Sequence, residues 1–240
     1  MRIAVLSDIH SNLVALDAVL ASIGSVDAIW QLGDIVGYGP EPDGVVERLV
    51  EAGAVGVRGN HDGAAVGGDE AEYFNVDARK AIEWTRRVIH PATADYLAAL
   101  PLRLLEGDFT LVHGSPRDPT WEYVTSAPVA RANLRAIGTR YCLHGHTHVP
   151  VVFRDDGGSI ELIAPRHGST LHLDERRVLL NPGSVGQPRD GDRDASYLVI
   201  DSDRDEVTWR RVGYDIAATK AGMRAVDLPP RLIERLDHGL

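Results

Sequence analysis

Between residues 2 and 148, five short apolar runs each stop on aspartate, asparagine or histidine. RIAVL leads to Ser7-Asp8, AIWQL to Gly33-Asp34, and AVGVR to Gly59-Asn60-His61-Asp62. FTLVH ends on His113, and RYCLH runs through His144 into Gly145-His146-Thr147-His148. Apolar runs this short, bounded by turn residues, read as buried strands. Amphipathic stretches separate the first three. Ser11 or Asn12 can cap a helix that aligns Leu13, Leu16, Leu20 and Ile23. A second helix follows Glu41-Pro42, carries Val45, Val46, Leu49 and Val50, and stops at Gly53. Three strand-then-helix units predict an α/β fold with parallel pairing. In that class ligands bind beyond the carboxyl ends of the strands. Every polar group named above falls at such an end.

The segment from Gly63 to Asn75 is glycine-rich and acidic, and reads as a solvent loop or a lid. Asp77 is expected to cap a helix through Ile89, with another from Pro91 to Leu100. From 149 to 212 the pattern turns strand-rich, punctuated at Asp156-Gly157-Gly158, Pro182-Gly183 and Asp190-Gly191. A helical end from Asp215 is broken by Pro229-Pro230. A parallel half followed by an antiparallel half predicts an α/β four-layer αββα sandwich: two mixed sheets face to face, flanked by helices. Without repeats or a linker, residues 1–240 read as a single domain.

The chain has 25 basic and 35 acidic residues, a formal net charge of −10. That argues against a stable nucleic-acid complex, though not against a nucleotide substrate, because metals supply local positive charge. No apolar run is long enough to span a membrane. Asp8 falls where a secretory leader needs apolar residues, so none is expected. The single cysteine, Cys142, excludes an intrachain disulfide and fits a reducing cytoplasm.

The polar groups are donors of a particular kind. Asp8 and His10, like His146 and His148, are spaced i, i+2, so each pair faces one side of an extended segment. With Asp34, Asn60 and His113 they make seven donors: two carboxylates, one amide and four imidazoles. Seven is too many for one tetrahedral zinc and suits two divalent ions sharing a carboxylate. Oxygen and imidazole donors without thiolate favour Mn, Fe, Co, Ni or Zn over Ca or Mg.

The series Asp8-x-His10, Gly33-Asp34, Gly59-Asn60-His61-Asp62, His113 and Gly145-His146-x-His148 resembles the calcineurin-like metallophosphoesterase superfamily, with every motif present and in order. The segments GDIVGYGP, LVHGSPRDP and NPGSVGQPRDG resemble its small bacterial and archaeal phosphodiesterases. The resemblance implies the same αββα fold and two metals, manganese above the others. One metal would be held by Asp8, His10, Asp34 and His148, and the other by Asp34, Asn60, His113 and His146. His61 would be the general acid and Asp62 its orienting partner. A water shared by two such ions becomes a hydroxide near neutral pH and can attack phosphorus in line. The expected substrate is a small phosphodiester or nucleotide polyphosphate, such as a cyclic nucleotide or dinucleoside polyphosphate.

One departure bears on that substrate. Members acting on phosphoproteins usually carry Gly-Asp-x-x-Asp-Arg-Gly, and here Tyr38 stands where that arginine would be, which argues against a protein phosphatase and against the dinucleoside tetraphosphatases built on that same template. The alternatives are a phosphomonoesterase on a small metabolite and a scaffold of the same fold that has lost catalysis. The reading also allows a homodimer.

Tyr38, Trp121 and Tyr123 lie in loops beside these motifs, where they can stack on a base or simply pack. Arg189 within NPGSVGQPRDG can meet phosphate, or the segment can be a tight turn. Tyr38, Tyr123 and Arg189 are the candidate substrate contacts. His144 shares the spacing of His146 but is expected to pack. His90, His167, His172 and His238 read as surface or loop residues.

Overall fold

The computed structural model describes residues 1–240. The chain runs Arg2–Leu6 (β1), Leu13–Ile23 (α1), Ala28–Gln31 (β2), Pro42–Glu51 (α2), Val55–Gly56 (β3), Asn60–Ala65 (α3), Val76–Val88 (α4) and Pro91–Ala99 (α5). It continues through Arg103–Glu106 (β4), Phe109–Val112 (β5), Ala127–Ala136 (α6), Tyr141–Leu143 (β6), Val151–Asp155 (β7), Ile160–Ile163 (β8) and Thr170–His172 (β9). It ends with Val178–Asn181 (β10), Ala195–Asp201 (β11), Glu206–Val212 (β12), Ile216–Ala225 (α7) and Pro230–Glu234 (α8).

The strands form two mixed six-stranded sheets, ordered β3-β2-β1-β11-β12-β9 and β4-β5-β6-β10-β7-β8. The two sheets do not divide the chain into halves. β11 returns to pair antiparallel with β1, Ile3 opposite Ile200, while β2 lies parallel on the other side of β1. β10 inserts parallel to β6 and antiparallel to β7.

Alternation along each strand builds the layers, because successive side chains point to opposite faces. In β1, Ile3 and Val5 enter the core between the sheets, while Ala4 and Leu6 face the helices. In β10, Val178 and Leu180 enter the inter-sheet core and Leu179 faces outward, against Ala130 and Leu134 of α6. The helical cover is unequal. α1, α2, α4, α7 and α8 pack over the first sheet, and α6 covers the outer face of the second.

Several local expectations change. The 63–75 segment is not a solvent loop: it comprises the end of α3 and a 3-10 turn over Asp69–Tyr73, and Phe74 is buried. Asn75, not Asp77, caps α4, its side chain accepting from the Ala78 amide at 3.0 Å. The third strand contracts to two residues. β4 and α6 have no counterpart in the sequence reading. His90, His167, His172 and His238 are all exposed.

Cys142 lies in β6 facing α6 with no exposed surface. Burial pushes its thiol well above the ordinary range, so the thiolate is suppressed. Iodoacetamide should therefore leave the native protein unmodified and label it only upon unfolding, as read by mass spectrometry across a urea series.

Candidate metal centre

The strands that lead into the motifs are neighbours in their sheets. Asp8 and His10 follow β1, Asp34 follows β2, and Asn60 opens α3 just after β3. Across the sheet interface, His113 follows β5, and His146 and His148 follow β6. β1, β2 and β3 are parallel, as are β5 and β6, so these side chains emerge at the same kind of strand end.

The turns are forced. Asp8, His10, Asp34, His146 and His148 all have positive φ, between 51° and 66°. The left-handed region costs a non-glycine residue about 1–2 kcal/mol, and such outliers cluster where function requires them. Gly59 shows how tightly the loops close. A Cβ there would run into the Asp34 carboxylate, and a Cβ on Gly33 would sit 2.5 Å from the Gly59 amide nitrogen.

Two groups of donors result. Asp8, His10, Asp34 and His148 bring one ligand atom each to within 4.8 Å of one another, and so do Asp34, His113 and His146. Asp34 belongs to both: its Oδ2 lies 3.6 Å from His10 Nε2 and 3.3 Å from His113 Nε2. Asn60 Oδ1 joins the second group, 3.0 Å from His113 Nε2. All seven residues are buried.

Five of the seven donors are oriented by their other atom. Asp8 Oδ2 accepts from Ser7 Oγ at 2.7 Å and the His146 amide at 3.2 Å, while its Oδ1 is buried without a partner. Asp34 Oδ1 accepts from the His61 amide at 2.8 Å, freeing Oδ2 for the shared position. The Nδ1 atoms of His10, His113 and His148 face the carbonyls of Val36, Leu32 and Gln187 at 3.2, 2.9 and 2.5 Å. A carbonyl only accepts, so Nδ1 carries a proton and Nε2 is the atom turned inward, with a free lone pair in the neutral ring. These atoms crowd: His10 Nε2 lies 3.1 Å from His148 Nε2, and His113 Nε2 lies 3.0 Å from His146 Nδ1.

Converging lone pairs and an orphaned carboxylate oxygen, all out of water, are unfavourable without a cation. Burial lowers the basicity of His10, His146 and His148, keeping them neutral, the form that ligates. It pushes the Asp8 carboxyl above its ordinary range. Burial acts on Asp34 in the same direction, but the His113 ring, itself raised to about 9 beside this carboxylate, outweighs it and keeps Asp34 ionised, a role that a bound cation would take over. The donor set fits divalent metal.

His61 stands beside the two groups without joining either. Its ring stacks on Phe74 at 4.4 Å and meets Tyr38 at 4.4 Å. Its Nδ1 is sealed without a partner against Gly37, where a Cβ would collide with it. Asp62 does not hydrogen-bond to His61 as an orienting partner would. Its two oxygens accept from the amides of Val36 at 3.1 Å and Gly59 at 2.9 Å. It therefore acts on the backbone, tying the loop after Asp34 to the loop before Asn60, because an aspartate at the third position of a helix satisfies free amides there.

The remaining candidates divide. Tyr38 is buried between His10 and His61, so its ring packs. Tyr123 is exposed and stacks on His146 at 3.9 Å. Trp121 packs edge-on against Phe74, 6.0 Å away. Arg189 borders the cavity beside Asp34, whose volume is about 110 Å³. His144 turns away, and its Nδ1 accepts from Asn181 Nδ2 at 3.3 Å.

Some positioning residues carry no separate sequence signal. In NPGSVGQPRDG, Asn181 donates to the Gly145 carbonyl at 2.8 Å and Ser184 Oγ to the Asp8 carbonyl at 2.8 Å. Gln187 supplies the carbonyl that orients His148. This segment braces the loops of Asp8, His146 and His148, a role its resemblance to a turn concealed.

The calcineurin-like phosphoesterase superfamily domain matches residues 1–205. A metallophosphoesterase crystal structure from Sphaerobacter thermophilus is 46% identical, with a TM-score of 0.93 over 100% of this chain and 99% of that one. An uncharacterized protein of Methanocaldococcus jannaschii is 38% identical over 99% of this chain and 98% of its own length. The phosphodiesterase YfcE of Escherichia coli is 30% identical over 85% of this chain and 89% of its own length. No helix is long and apolar enough to cross a membrane. With a family match over most of its length and relatives spanning nearly all of it, the chain belongs to the calcineurin-like phosphoesterase superfamily.

Proposed function

We propose that this protein, acting as a single domain in the cytoplasm, hydrolyses phosphodiester or nucleotide polyphosphate bonds in small substrates. Two divalent ions would be held, one by Asp8, His10, Asp34 and His148 and the other by Asp34, Asn60, His113 and His146. The observation that carries this reading is the sharing of Asp34 between two buried groups of oriented donors. Manganese suits the oxygen and imidazole set, with Fe, Co, Ni and Zn as alternatives. When bound, such a pair neutralises phosphoryl oxygens and makes water nucleophilic near neutral pH.

His61 supplies the proton for the leaving oxygen. Burial holds its imidazole down at about 4 without substrate. A bound phosphate opposes that effect and favours the imidazolium, so protonation and substrate binding reinforce one another. With Nδ1 sealed, Nε2 is the atom that delivers the proton. Arg189 adds positive charge at the rim.

Two features favour diesters over monoesters: the name of the Escherichia coli relative, a phosphodiesterase, and Tyr38 in place of the arginine of phosphoprotein phosphatases. The test is manganese-dependent hydrolysis of bis(p-nitrophenyl) phosphate beside p-nitrophenyl phosphate, with and without chelator. A diester preference abolished by chelator is expected. A monoester preference would overturn the substrate class, and activity indifferent to chelator would overturn the metal.

Metal binding also stabilises the fold, because the unfolded chain has no such site. A ligand at a thousand times its Kd contributes about 4 kcal/mol, and a chain of this size shifts by about 2–4 °C per kcal/mol. Chelation should lower the melting temperature by about 8 °C or more, measured by differential scanning calorimetry.

A further inference from the structure

Next to the metal site lies a wider cleft of about 760 Å³, in the range of small-ligand sites. Tyr38, Asn75, Tyr123 and Arg189 line both spaces, so one opens into the other. The metal-site chamber, about 110 Å³, is much the smaller of the two. A substrate held at the metal site can extend into the wider cleft.

That cleft is basic in an acidic protein. Arg189, Arg231 and Arg235 line it, the last two from α8 and the turn that follows. Some arginines elsewhere are neutralised by carboxylates: Arg48 by Asp17, Arg154 by Glu161, Arg211 by Asp190. None of the three in the cleft pairs with a carboxylate side chain. Asp77 and Glu234 border the same cleft, and neither is paired with them. Arg189 Nε is buried without a partner, and its guanidinium lies 5.9 Å from the Tyr38 ring centroid. Arg235 Nε donates to the Leu240 backbone oxygen, which fixes the group in place. Burial first, and the adjacent Arg189 second, bring Arg235 down to about 10.

We infer that Arg189, Arg231 and Arg235 form a second phosphate subsite, so that the preferred substrate carries at least one phosphate beyond the one cleaved. Guanidinium groups meet phosphate oxygens in bidentate pairs, and three of them suit a polyphosphate chain better than a single charge. This rests on the reading of the metal site as a phosphoesterase centre, and it narrows the substrate to the polyphosphate class.

The test compares bis(p-nitrophenyl) phosphate, with one phosphate, and a dinucleoside tetraphosphate as substrates of the metal-loaded protein and of an Arg231→Gln/Arg235→Gln variant. The ratio of the tetraphosphate KM to the simple diester KM should rise ten-fold or more. A ratio that stays constant overturns the subsite. So does a wild-type protein that cleaves the simple diester and not the tetraphosphate, while the proposed function survives. Arg231→Gln alone, at an exposed position, gives the same ratio test if the double variant misfolds, with a rise of about three-fold or more. Calorimetric titration with inorganic tripolyphosphate reads binding without turnover. The double variant should bind at least ten-fold more weakly, and equal affinity refutes the subsite. Should the wild type cleave neither ester, the proposed function fails and this titration still decides the subsite.

Discussion

Asp34→Ala is expected to remove both ions at once. Its Oδ2 is the one oxygen within 3.6 Å of donors in both groups, so no residue in either group replaces it. Losing the ions forfeits several kcal/mol of charge stabilisation in the transition state, and about 4 kcal/mol is about 10³ in rate. Metal content by plasma mass spectrometry should fall from two ions per chain to none, with turnover down by about 10³-fold or more. His113→Ala provides the contrast, because His113 belongs to one group only. It should keep the ion held by Asp8, His10, Asp34 and His148. An Asp34→Ala protein that retained a full ion would refute the shared position.

The second large effect separates chemistry from metal binding. His61→Ala should retain both ions and lose about 10²–10⁴ in kcat, the usual contribution of a positioned proton donor. Because the ring also stacks on Phe74, His61→Gln serves as the variant that keeps more of the volume. Leaving-group dependence makes the assignment specific. p-Nitrophenolate departs readily without a proton and an alkoxide does not, so the loss should be larger for an alkyl ester. Equal losses for the two esters would leave His61 a packing residue.

Much of this site is written in the chain as composition at strand ends. Short apolar runs announce the strands, and each donor follows one directly, so the order of the motifs carries their convergence. The geometry of the turns is not written there. Asp8 and Asp34 adopt positive φ, which aspartate tolerates more readily than most residues. Three histidines do the same, a residue type also enriched there, but the preference is too weak to place a turn from sequence. The hydrogen-bonding of Asp62 was equally hidden: a carboxylate beside a histidine suggests a pair, yet its oxygens go to the amides of Val36 and Gly59.

Other misses have local causes. The glycines at 63, 67 and 68 read as loop, yet Gly59 as a helix cap with Asp62 at the third position signals α3. α6 was legible in part, since Ser126-Ala127-Pro128 fits a helix start, with Pro128 in the first turn. Its apolar face is thin, which masks the period. The return of β11 to β1 joins residues about two hundred positions apart, and nothing local specifies such a pairing. For the same reason the three arginines of the wider cleft come together only in the fold.

The most direct test of the two-ion centre is a manganese titration of chelator-treated protein, following bis(p-nitrophenyl) phosphate hydrolysis. No activity is expected at the start, and a rise that reaches its plateau at two equivalents per chain. Hydrolysis that survives chelation, or a plateau at one equivalent, would contradict it.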